Sequence, residues 1–214
     1  MRVLLKPYTV LDCTDERGDI GPMLLGDLGA DVIKVEPPGG CSSRSCPPFA
    51  TAADGSTRSL HFLSYNRNKR SITLDPAENS DQATFADLVR SADFIFESYP
   101  DSLLQQFGHS MESIQTLNPQ IIHTRISAFG SNGPYADLIG NDLVIAAMGG
   151  PVAIQGPQDR APVRVSVPQV WRHAGVEAAA GAMVAWQRML RSTAAQFVDV
   201  SAQSALTWTM LNAD

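Results

Sequence analysis

The sequence predicts an α/β fold: a Rossmann-like open parallel sheet with helices on both faces. Three observations carry this. Short apolar, β-branched runs recur along the 214 residues, stretches with apolar residues three or four apart separate them, and turns rich in Gly, Pro and Asp punctuate both. Strands that alternate with helices imply βαβ units, because two parallel strands need a crossover long enough to hold a helix.

Residues 8–12 are short and apolar, the pattern of a buried first strand. Ile20, Met23, Leu24 and Leu28 then repeat at helical spacing, and the stripe ends near Gly29, where a helix can terminate. Residues 31–36 form a second strand, stopped by Pro37-Pro38-Gly39-Gly40. The stretch 39–58 is dense in Gly, Ser, Pro and Thr and is expected to be one long loop. Residues 70–74 alternate polar and apolar, a third strand. Asn79 or Ser80 can cap a helix that carries Phe85, Leu88 and Val89 on one face.

Residues 93–97 predict another strand, with helical patterns following near 101–107 and 110–117. Residues 120–126 are a further strand, and 127–140 is a turn-rich loop around Gly130, Gly133 and Pro134. The longest uncharged run, 143–158, is broken by Gly149, Gly150, Pro151, Gly156 and Pro157, so a loop-rich core segment is expected there. A long helix over 172–190 and a strand over 196–201 complete the order.

With 44% apolar and 18% charged residues, the composition excludes a disordered tail and a collagen-like fibre. Sixteen basic against 22 acidic residues give a net charge of −6, opposite to the bias of a nucleic-acid binder. The start, Met1-Arg2-Val3-Leu4-Leu5-Lys6, lacks the apolar stretch of a signal peptide, and the breakers in 143–158 argue against a membrane span. Cys13, Cys41 and Cys46 are an odd number, without the paired spacing of a zinc site. Free thiols in a reducing cytoplasm are expected, with no metal, no membrane and no nucleic acid as partner.

In open α/β sheets, ligands bind beyond the carboxyl ends of the strands, which directs attention to the loops after Asp12, Glu36, Glu97 and Ser127. The first of these, 12–21, lacks G-x-G-x-x-G and carries carboxylates that repel a pyrophosphate. Neither a P-loop, a G-x-S-x-G elbow nor H-E-x-x-H is present, and the four histidines are scattered. Asn66-Arg67-Asn68-Lys69-Arg70 clusters three cations in an acidic chain, either a solvated run or a grip on an anionic ligand. Residues 127–135 offer glycines that let backbone approach a bulky ligand, or plain turns.

Seven blocks of the chain together resemble the family III CoA-transferases. They are Val10-Leu11-Asp12 with Leu25-Gly26-Asp27-Leu28-Gly29-Ala30-Asp31-Val32-Ile33-Lys34-Val35-Glu36, then 66–75, 92–98, Asn118-Pro119, 126–137, 175–187 and 196–201. The resemblance implies a large Rossmann-like domain over 1–200 that binds an acyl-CoA thioester, and an interlocked homodimer or a partner chain. It also implies transfer of CoA between carboxylic acids, by a carboxylate nucleophile that becomes an aspartyl-CoA thioester. That aspartate stands four residues before the glycine that opens the long helix. The glycine here is Gly175, so the position falls on Trp171, which cannot form the thioester. Neither Gln169 nor Glu177 is at the matched site. Racemases of the same family use a histidine that here is Asn141, beside Asp142.

For the coenzyme, the resemblance carries over Asn68, Lys69 and Arg70 in the cationic loop, Ser98 near the nucleotide, and Ser127, Gly130 and Tyr135 along the pantetheine and acyl end. Pro37 replaces a basic residue of some relatives. Residues 201–214 are expected to open a helix that continues in longer relatives, with the family's small domain absent. Three functions stay open: a CoA-transferase, a non-catalytic CoA-binding subunit or half, and a truncated product.

Overall fold

The computed structural model describes residues 4–98, 100 and 102–211. Its first half contains β1 (Thr9–Cys13), α1 (Ile20–Asp27), β2 (Asp31–Glu36), β3 (Phe49–Thr51), β4 (Thr57–Ser59), α2 (Leu60–Tyr65), β5 (Lys69–Thr73) and α3 (Asn79–Ser91). Then come β6 (Phe94–Ser98), α4 (Leu103–Gln106), α5 (Met111–Leu117), β7 (Ile122–Ser127), α6 (Asp142–Met148), α7 (Val170–Ser192), β8 (Gln196–Ser201) and α8 (Ala202–Trp208).

Six strands form one sheet in the order β5-β2-β1-β6-β7-β8, and every neighbouring pair is parallel. Counting only these six, the order is 3-2-1-4-5-6, that of the doubly wound dinucleotide-binding sheet. The chain therefore reverses its direction of travel between β1 and β6.

Because side chains alternate across a strand, the sheet feeds two cores. On one face Val10, Phe94, Phe96, Ile122 and Val200 pack against α1 and α7. On the other, Leu11 and Ile95 meet Phe85 and Val89 of α3, Leu104 of α4 and Ile114 of α5. Helix α7 buries Ala174, Ala178 and Ala182, a stripe at four-residue spacing that lets a 23-residue helix lie close on the sheet. Gly175 extends this approach to α1: a Cβ there would stand 3.1 Å from Ile20 Cβ and 3.3 Å from the Gly21 nitrogen.

Three segments depart from the sequence expectation. The stretch 39–58 holds a 3-10 turn at Ser42–Ser45 and the hairpin β3-β4. Arg44 folds back onto Glu36 and the Ser59 hydroxyl bonds the Ser43 carbonyl, contacts with distant residues that local composition does not announce. Helix α2 is capped by Ser59 and buries none of its residues, so it leaves no apolar stripe to find. Helix α6 begins where Asn141 Oδ1 accepts the Val144 N–H at 2.9 Å and runs into the segment 143–158 expected to be loop-rich. Helix α8 occupies Ala202–Trp208 of the stretch 201–214. Residues 212–214 of that stretch, residue 101 of the 101–107 pattern and the first three residues of the chain lie outside the described residues. Among the described residues no helix is long and apolar enough to cross a membrane.

Candidate functional site

The reversal between β1 and β6 opens a crevice at the carboxyl edge of the sheet, since the chain leaves β1 toward α1 on one face and β6 toward α4 and α5 on the other. A cavity of about 130 Å³ sits in it, lined by Thr14, Asp15, Ser42, Ser98, Ser102 and Gln106 together with the thiols of Cys13 and Cys41. Gly18 keeps the loop above β1 tight. A Cβ there would meet Thr14 Cγ2 at 2.7 Å and Ser98 Oγ at 2.9 Å, so a side chain would force apart the two strand exits that frame the cavity. Ser98 Oγ also accepts the Asp15 N–H at 3.3 Å, which ties the β1 loop to β6.

Beneath this loop lies a buried ionic network. Asp12 Oδ1 accepts the Thr14 N–H at 2.9 Å and the Thr14 hydroxyl at 2.7 Å, while its Oδ2 accepts Lys69 Nζ at 2.8 Å. Lys34 Nζ donates to Asp19 Oδ1 at 2.8 Å and to the Thr14 carbonyl at 2.9 Å. Asn66 Nδ2 reaches the other oxygen of Asp19 at 3.0 Å. Two carboxylates and two ammonium groups thus balance one another out of contact with water. Burial alone would raise the Asp12 carboxyl, but the nearby charges of Lys34 and Lys69 outweigh it and hold the group at about 2. Burial likewise opposes the charge of Lys34, yet Asp12 and Asp19 drive its ammonium well above its usual range. For Lys69 burial prevails, and its value is lowered.

The cationic loop divides. Lys69 points inward, and its three donors go to Asp12, to the Asp19 carbonyl at 2.9 Å and to Asn66 Oδ1 at 2.8 Å, with 2% of its side chain exposed. Asn68 bonds Asp27 at the end of α1, and Arg70 bonds Asp31 at the start of β2. Those two partners stand at the amino edge of the sheet, away from the crevice. Ser98, by contrast, lines the crevice. Ser127 ends the neighbouring strand β7, and its hydroxyl accepts the Gly130 N–H at 2.9 Å. Tyr135 is 47% exposed, tilted against Phe129 with ring centroids 6.0 Å apart.

Trp171 lies in the first turn of α7, half-buried against the core that α7 shares with α1. Its neighbour Arg172 stacks over Tyr65 of α2 at 5.5 Å. Glu177 is exposed. Asn141 caps α6, and Asp142 Oδ1 accepts the Val170 N–H at 2.9 Å, so both are occupied in shaping helix ends.

Asp19 and Lys34 are structural residues of this site that motif reading did not single out, and Asp12 and Asn66 entered it only as parts of longer segments. One signal for them existed: a lone Lys inside the apolar run of β2 must be paired if it is buried. A second buried cluster joins Glu97 Oε1 to His123 Nε2 and to Arg125 Nε, both at 2.8 Å. Burial works against the Glu97 charge, but these two partners bring it to about 2. The thiols facing the cavity behave oppositely. Burial pushes Cys13 up, reinforced by Asp12 and Glu97, and burial also raises Cys41. Both stay protonated and serve as small apolar lining, not as nucleophiles.

Comparison with known proteins agrees with this architecture. The sequence profile described as CoA-transferase family III matches residues 5–213. A succinate–glutarate CoA-transferase of Agrobacterium fabrum is 36% identical over 181 residues, 83% of this chain and 45% of the relative. The subunit BbsE of the succinyl-CoA:(R)-benzylsuccinate CoA-transferase of Thauera aromatica is 32% identical over 206 residues, 96% of this chain and 50% of the relative. The crystal structure of a CAIB/BAIF family protein from Brucella suis superposes with a TM-score of 0.91 at 31% identity, over 99% of this chain and 56% of that one. The chain spans about half the length of these relatives. A profile match that runs nearly from end to end, with a superposition over almost the whole chain, places this chain in CoA-transferase family III.

Proposed function

We propose that the chain binds an acyl-CoA in the crevice between β1 and β6 and forms the CoA-binding half of a transferase that passes CoA between carboxylic acids. The observation that carries this is the crevice itself. It lies at the switch point of a doubly wound sheet, and its hydroxyl and amide lining suits a nucleotide. Ser98 is the contact offered from β6, and Ser127, Gly130 and Tyr135 continue the path along the exit of β7. The carboxylate of Asp15, which would repel phosphate, is held by Arg17. Asn68, Lys69 and Arg70 act here as the frame behind the site: Lys69 anchors Asp12 and the start of α1, so it shapes the loop that meets the ligand.

Trp171 favours a division of labour. An indole has no carboxylate to take up the acyl group, and a second copy carries the same Trp171, so the nucleophile of the family's reaction comes from a partner chain in the working assembly. The name of the Thauera relative as a subunit supports such an arrangement. Isothermal titration with CoA tests the binding. Micromolar to low-millimolar affinity is expected, and Ser42→Trp, which fills the cavity from its exposed rim, should weaken it at least tenfold while the melting temperature stays within a few degrees. Folded protein that gives no heat with millimolar CoA would rule the reading out. Turnover of succinyl-CoA with a free acid by the lone chain would contradict the division of labour while leaving CoA binding in place.

A further inference from the structure

A second cavity, of about 220 Å³, opens between α6, the start of α7 and α8, and none of the residues assigned above to CoA lines it. Its walls are Val152, Ile154, Val165, Leu206 and Met210. Arg164, Gln169 and His173 add polar groups to the lining, and Arg164 has no carboxylate partner among the described residues. Asp142 lines it too, its Oδ1 accepting the Val170 N–H at 2.9 Å.

We propose that this cavity binds a carboxylic acid with an apolar body, its carboxylate on Arg164 and its hydrocarbon against Val152, Ile154, Val165, Leu206 and Met210. The charges decide against a compact dicarboxylate. Arg164 is the one lysine or arginine among the described lining residues, so a second carboxylate would meet either apolar wall or the like charge of Asp142, and an unpaired charge against apolar wall is disfavoured. The apolar walls favour chain length instead, since each methylene taken from water contributes about fourfold in affinity. The acid binds with its carboxylate toward the guanidinium. Its role as the acid partner of CoA transfer rests on the reading above, whereas the binding itself does not.

Calorimetric titration of the chain with octanoate, butyrate and succinate, in parallel with CoA, tests this. Octanoate should bind at least tenfold more tightly than either butyrate or succinate. Arg164→Gln removes a charge-assisted bond at an exposed position and should weaken octanoate about tenfold or more. Val165→Trp fills the cavity from its exposed rim and should abolish octanoate binding with an unchanged melting temperature. Neither variant should alter the affinity for CoA. No heat with millimolar octanoate, succinate binding as tightly as octanoate, or an Arg164→Gln variant that binds like the parent would each overturn the proposal. Octanoate binding without CoA binding would leave the cavity standing and remove the transferase reading; CoA binding without octanoate would do the reverse.

Discussion

Lys34 shows how one side chain conditions the whole site. It is 1% exposed, and its ammonium holds Asp19, Asp12 and the Thr14 carbonyl in one place. A buried ion pair adds little to stability compared with an apolar replacement of both partners, but removal of one partner leaves a charge without compensation. Lys34→Met should therefore destabilise the fold by roughly 3–5 kcal/mol, measured by urea unfolding. A loss below about 1 kcal/mol would show that Lys69 alone can balance both carboxylates. The arrangement also explains why a Lys in the cationic loop is not free to grip a phosphate: Lys69 lies within reach of Asp12, and desolvated carboxylates compete strongly for it.

At the scale of elements, the contact of α1 with α7 sets the floor of the site. Gly21 and Gly175 face one another, with a Cβ at Gly21 only 3.3 Å from the Gly175 carbonyl oxygen. Close helix approach of this kind leaves no room for a branched side chain. Gly175→Val should push α7 from α1 and lower stability by about 1–3 kcal/mol, read as a fall in melting temperature. CoA binding should weaken in parallel, because the loop from Thr14 to Asp19 moves with α1. A Gly175→Val variant as stable as the parent would show that the two helices can separate without cost. The strands and the long helix were legible in the sequence because their apolar residues repeat at 2 or 3.6 residues. Helix α2 and the hairpin β3-β4 were not, because they are mostly exposed and held by single side chains such as Ser59 and Arg44.

At the scale of the whole molecule, three buried carboxylates link stability to pH. Asp12, Glu36 and Glu97 each titrate near 2 when folded, against ordinary values of 3.8 and 4.5. In each, burial opposes the charge and is outweighed by cationic partners, Lys34 and Lys69 for the first, Arg44 for the second, His123 and Arg125 for the third. A carboxyl that binds its proton less readily in the folded state than in the unfolded state stabilises the fold above its unfolded value. That contribution is lost as pH falls toward the folded value. Each group adds on the order of 2 kcal/mol at neutral pH, so stability should drop steeply between about pH 4.5 and 2. Urea midpoints measured across that range check this, and a flat profile would show that the three carboxyls bind protons equally well in the folded and unfolded states.

Taken alone, the sequence determined the α/β class, the order of the six sheet strands along the chain, the family blocks and the Trp at position 171. These are properties of spacing and identity, which a linear reading preserves. Only the tertiary structure decided that Lys69 turns inward while Asn68 and Arg70 pair at the amino edge, that Cys13 and Cys41 share a cavity with Ser98, and that an apolar cavity with a single arginine lies beyond the start of α7. The reason is physical. Charges choose their partners through space, by distance and desolvation, and residues such as Asp12 and Lys69, 57 apart along the chain, become neighbours only once the sheet has brought them together.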